Sequence, residues 1–160
     1  MKRPRDVSNG FSLVEMTLAL GVAAISLVAV FGLLATGLQT NYTATEQTTS
    51  SDILAAVAAD LRATPKTTPP GGAATSTQFG ISIPANTVGA TSTLYFNAQG
   101  QSSTSPNAGS RYQLAITFRP NGISSRTATF VHLRMTWPAV ASPTSANTGA
   151  AEIFTALERN

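Results

Sequence analysis

The sequence predicts an α+β fold, with one long N-terminal helix followed by a small antiparallel sheet. Three observations lead there. No proline interrupts residues 11–64, a span that opens on a long apolar run and ends on apolar residues at helical spacing. Residues 64–77, TPKTTPPGGAATST, have the composition of a linker or exposed loop. Beyond them, residues 111–119 and 127–137 alternate apolar and polar side chains, the period-2 pattern of strands with one buried face. A chain of 160 residues has room for one domain plus an appendage.

The first ten residues are basic: Lys2, Arg3 and Arg5 stand against Asp6. The formal net charge of +3 is therefore partly a property of this short leader, and a high isoelectric point is no argument for nucleic-acid binding. From Phe11 to Thr45 the one charged side chain is Glu15, and the 23 residues from Met16 to Leu38 carry no charge. About 20 apolar residues suffice for a helix to cross the hydrocarbon core of a bilayer. A secretory signal peptide has a shorter apolar region and a small-residue cleavage site. A helix apolar on every side inside a soluble domain needs a larger domain than this one to bury it. Residues 11–38 are thus expected to span a membrane. The basic leader keeps the N-terminus cytoplasmic, by the preference of Lys and Arg for that side, and the C-terminal domain is exported.

The junction between leader and span reads Gly10-Phe11-Ser12-Leu13-Val14-Glu15. A basic leader, a glycine, an aromatic residue and a glutamate four positions further on, followed by an apolar run, resemble the processing site of type IV pilins and type II secretion pseudopilins. The resemblance implies a pilin-like fold, with the long helix packed on the sheet. It implies cleavage between Gly10 and Phe11 by a prepilin peptidase, which also methylates the new amine of Phe11. It further implies that Glu15 neutralises the cationic terminus of a neighbouring subunit during assembly. Ser12 and Glu15 also fit a capping box, a purely local role. The partners implied are the peptidase/methyltransferase, other pilin-like subunits, an inner-membrane assembly platform and membrane lipid.

From Gln39 the chain turns polar, and then Ile53, Leu54, Val57, Ala58 and Leu61 draw one apolar stripe along a helix, with Asp52, Asp60 and Arg62 placed off it. Thr64-Pro65 ends the helix, because the residue before proline is driven out of helical geometry. The expected organisation is a leader at 1–10, a membrane or filament-core helix half at 11–38, an amphipathic half at 39–64 and a small β-rich domain at 65–160.

Within that domain residues 78–83 and 93–96 are expected to be strands, and residues 97–109 a polar loop. Residues 111–119 place Tyr112, Leu114, Ile116 and Phe118 on one face; residues 127–137 place Val131, Leu133, Met135 and Trp137 on one face and Phe130, His132 and Arg134 on the other. Pro120-Asn121-Gly122 is a turn signal between them, so the two form a hairpin. Residues 151–157, AEIFTAL, are too few for periodicity to decide, and a final strand is the preferred reading.

The stretches ILAAVAADLRATP (53–65), SRYQLAITF (110–118), MTWPA (135–139) and EIFTALERN (152–160) also resemble the B-type Verru_Chthon cassette branch of prepilin-like proteins. No enzymatic chemistry is expected. His132 is the single histidine and there is no cysteine, so neither a catalytic triad nor a thiolate metal site can be assembled. Pseudopilins often bind calcium through several acids near the C-terminus; Glu152 and Glu158 are too few for that. No metal or other cofactor is therefore expected. Arg119, Arg126 and Arg134, with Tyr112 and Trp137 nearby in sequence, form either a solvated basic face or a stacking surface for single-stranded nucleic acid, and nucleic acid is not the expected partner. The function expected is that of a filament subunit. The alternatives are an exported domain that stays anchored and unpolymerised, or a minor tip subunit that binds DNA or a surface.

Overall fold

The computed structural model describes residues 10–65, 67, 72–85, 89–119, 128–139 and 149–158. Helix α1 runs Leu13–Ala63, 51 residues without a break. Seven strands follow: β1 (Ala74–Thr75), β2 (Ser82–Ile83), β3 (Ala90–Phe96), β4 (Ser102–Ser103), β5 (Tyr112–Arg119), β6 (Thr129–Trp137) and β7 (Gly149–Leu157). This is the predicted α+β arrangement.

The chain divides into two compact units, residues 1–44 and 45–160. In the first, every described residue is exposed. The second holds the core. Its main sheet is fully antiparallel in the order β4-β3-β5-β6-β7, and β1 pairs with β2 in a separate two-stranded ribbon. Alternation decides which face is buried: Leu114 pairs with Met135, Ile116 with Leu133 and Phe118 with Val131, and all six side chains point to the same inner face. Ile53, Leu54, Val57, Ala58 and Leu61, the stripe predicted on the helix, are buried in the same cluster as these strand residues. Neither surface is stable in water alone, and each removes the other's apolar area from solvent.

The helix stops where expected. Pro65 follows Thr64, whose hydroxyl donates to the Asp60 carbonyl at 3.0 Å. Residues 149–157 are a strand, nine residues long, paired along its whole length with β6. Two expectations need correction. In 78–83 only Ser82 and Ile83 are strand; Thr77, Gln78 and Phe79 form a turn, and Gly80 sits at φ +63°, where a side chain is strained. The 97–109 loop contains the short strand β4, returned by a turn in which Asn97 Oδ1 accepts the amides of Gln99 and Gln101 while Gly100 takes φ +77°. The turn expected at 120–122 lies outside the described residues.

Candidate functional site

Gly10, Phe11 and Glu15 lie together at the start of α1, and all three are exposed. The first helical amide bond runs from Met16 N–H to the Ser12 carbonyl at 3.1 Å, which places Ser12 at the cap position. The reciprocal side-chain bonds of a capping box are not formed: among the described residues neither the Ser12 hydroxyl nor the Glu15 carboxylate has a partner. The local role considered for Glu15 is therefore not the one this helix start uses. A Cβ added at Gly10 would meet nothing within 4 Å, so the fold of this chain makes no demand for glycine there.

From Leu13 to Leu38 the helix presents large apolar side chains on every side, among them Leu13, Leu20, Ile25, Phe31 and Leu33, each about two-thirds exposed or more. Within the helix, the three hydroxyls that follow Glu15 look inward to the backbone. Thr17 donates to the Val14 carbonyl at 2.9 Å, Ser26 to that of Val22 at 2.8 Å and Thr36 to that of Gly32 at 3.4 Å. A hydroxyl satisfied by its own helix needs no water, which suits an apolar medium. By length and composition α1 is long and apolar enough to cross a membrane.

In the second unit one acidic residue departs from its sequence assignment. Asp60 is 7% exposed, not off the stripe, and its carboxylate accepts the amide N–H of Gln78 (2.9 Å, Oδ1) and of Phe79 (3.0 Å, Oδ2). Burial works to raise its pKa, but hydrogen bonds from the Ser76 hydroxyl and from the amides of Gln78, Phe79 and Thr77 prevail and hold it below the ordinary value of 3.8. The signal was present in the spacing, because Asp60 follows Ile53 by seven and Val57 by three, which returns it to the buried face. Nearer the start of this unit, Glu46 Oε1 accepts from Arg111 Nη2 at 2.9 Å and ties α1 to the start of β5.

Tyr112 and Trp137 meet edge to face, 6.2 Å between ring centres, and both are buried on the inner face. They cannot join Arg119 and Arg134, which stand on the opposite face of the sheet, in a stacking surface; Arg126 lies outside the described residues. That outer face carries a different set. His132 stacks on Phe154 with ring centres 4.2 Å apart and planes 5° from parallel. His132 Nε2 lies 3.2 Å from Glu152 Oε2. Arg134 Nε lies 3.1 Å from Glu152 Oε1, an ion pair whose N–H is not aimed along a hydrogen bond. Among the described residues no three His, Cys, Asp or Glu side chains gather as a metal site would require. No family model, curated protein or solved structure matches this chain.

Proposed function

We propose that this chain is a prepilin-like structural subunit, cut between Gly10 and Phe11, N-methylated at Phe11, and assembled through its N-terminal helix into a type IV pilus or pseudopilus. The observation that carries this reading is the GFSLVE junction at the start of a helix that is exposed on every side to Leu38 and, apart from Glu15 and three backbone-bonded hydroxyls, apolar. Such a surface needs a non-aqueous neighbour at every stage: lipid before assembly, the same helix of other subunits after it. Glu15 is the one charge on that surface, and it has no partner among the described residues. In a filament the methylated ammonium of Phe11 on an adjacent copy supplies one, and the pairing offsets the cost of holding a carboxylate in the membrane.

In this reading the leader stays cytoplasmic in the bacterial inner membrane and the second unit is exported. The prepilin peptidase, an assembly platform and other pilin-like subunits are the partners. An anchored domain that never polymerises would use the same apolar helix, but would need neither Gly10 nor Glu15. Intact-mass and N-terminal peptide analysis of protein from native membranes and from sheared surface material separates the two. A terminus at N-methyl-Phe11 is expected. An uncut N-terminus, in cells with an active prepilin peptidase, would defeat the proposal.

A further inference from the structure

The outer face of the sheet is aromatic where folding gives it no reason to be. Phe130 is 55% exposed and Phe154 67% exposed, although the core lies on the other side of both strands. The register pairs Phe130 with Ala156 and His132 with Phe154, so the two phenylalanines occupy diagonal positions and, with His132 flat against Phe154, form one patch. Arg119 stands opposite Phe130 on β5, exposed and without a partner among the described residues. Contact surfaces are enriched in aromatic residues and arginine, and a patch of this kind marks one.

On the helix side of the same unit lies an open groove of about 340 Å³, lined by Thr49, Asp52 and Ala56 of α1 together with Phe79 and Gln99. A space of that size accepts an aromatic side chain and part of its neighbour. Phe79, half-buried, supplies an apolar wall. Asp52 supplies an exposed carboxylate, also without a partner among the described residues. One surface thus carries exposed rings beside a guanidinium and the other a cleft beside a carboxylate, neither charge having a partner among the described residues.

We propose that the Phe130–Phe154 patch of one copy of this chain docks into the Asp52 groove of the next, with Arg119 meeting Asp52 across the contact. The inference rests on the filament reading and adds the surfaces that join the exported units. Both halves of the complementarity are present on one chain, which makes a second copy the occupant. The two surfaces are different patches, one on the helix side and one on the outer sheet face, so a copy engages two neighbours at once. Such a heterologous contact does not saturate in a dimer; it propagates into an open chain unless its rotation closes a ring.

The absence of cysteine from the chain makes the test clean. Gln99→Cys and Ala156→Cys flank the groove and the patch at exposed positions and leave both rings in place. Full-length chain carrying both, treated in native membranes with a short bismaleimide, is expected to give a ladder of dimer, trimer and higher species. Each single-cysteine chain is expected to stay monomeric. Arg119→Glu added to the double-cysteine chain sets two acids face to face and reduces the ladder at least about tenfold; Asp52→Arg in the same chain restores it. Homodimers from Ala156→Cys alone would mean that the aromatic faces pair with each other, and would overturn the proposal. So would the absence of a ladder from protein whose terminus is N-methyl-Phe11 and which is recovered in filaments, a result that leaves the filament reading intact. A ladder from chain that retains Met1 would support the contact and defeat the filament reading instead. No ladder, with binding of a fluorescent oligothymidylate that Phe130→Ser and Phe154→Ser abolish, would give the face to single-stranded nucleic acid.

Discussion

Glu15 and Asp60 are both carboxylates in places where a carboxylate is costly, and their surroundings separate their roles. Glu15 sits on an apolar helix with no partner among the described residues, and the proposed filament would supply one from a neighbouring copy. Glu15→Val is expected to be cut normally at Gly10 and to accumulate in the membrane, with incorporation into filaments reduced; normal incorporation, read by shearing and immunoblotting, would remove the assembly role. Gly10 is the companion case. Space around it is open, so Gly10→Ala should fold, and under the proposed processing it should be cut at the same or a lower rate, while a tryptophan there should block cleavage. Asp60, by contrast, is satisfied within its own chain by the turn at residues 77–79. Asp60→Ala would strip the acceptors from those amides and is expected to cost about 3 kcal/mol of stability in urea unfolding of the second unit. Because its folded pKa is lowered, its contribution is fully present above the ordinary value of 3.8 and is lost as pH falls through the lowered value. Asp60→Asn should therefore flatten the acid limb of the stability–pH curve; an unchanged limb would show that the carboxylate contributes nothing there.

At the scale of elements, β6 and β7 meet closely at the end where the chain passes from one to the other. Gly149 pairs with Trp137, and a Cβ built on Gly149 would land on the Cε2 and Nε1 atoms of the indole. Gly149→Ala is expected to push the ring aside at a cost of about 1–3 kcal/mol. Trp137 is the only tryptophan, so the displacement should be read directly as a red shift of native-state fluorescence; an unshifted spectrum with unchanged stability would mean the ring relaxes freely. The same pair of strands shows what could be read in advance. Alternation placed Val131, Leu133, Met135 and Trp137 on one face, and all four are buried. The helix stripe was equally clear, since 3.6-residue spacing leaves little choice. Phe79 misled, because an apolar residue beside Ile81 and Ile83 mimics alternation while the turn that holds it is fixed by a carboxylate 19 residues earlier. Long-range side-chain to backbone bonds leave no period in a sequence. The aromatic patch is half legible: alternation puts Phe130 and His132 on one face of residues 127–137, but Phe154 stands in a segment too short for its period to be read, so the sequence does not join the two rings into one surface.

At the scale of the whole molecule, the division at residue 45 separates two kinds of stability. Residues 13–44 bury nothing within the chain, so their helical order depends on backbone bonds and on whatever medium surrounds them. Residues 45–160 contain both partners of the core, the stripe from Ile53 to Leu61 and the inner sheet face, as well as the Glu46–Arg111 bridge and the Asp60 turn. A fragment beginning at Thr45 retains every one of these contacts and loses only exposed surface. It is expected to be soluble without detergent, and to unfold in a single cooperative transition. Its denaturation midpoint should match that of the same unit in the full chain to within a few tenths molar urea, since the slope and the buried area are unchanged. Leu54→Ala provides the internal control: removing a side chain that is 1% exposed should lower stability by about 2–5 kcal/mol equally in both backgrounds. If the fragment aggregates or unfolds without a transition, the first half of α1 must support the second, and helix continuity across residue 45 is itself a source of stability. If it folds as expected, the apolar half of the helix is free of any folding duty, and its sequence is left to answer to the surroundings of that helix rather than to the core.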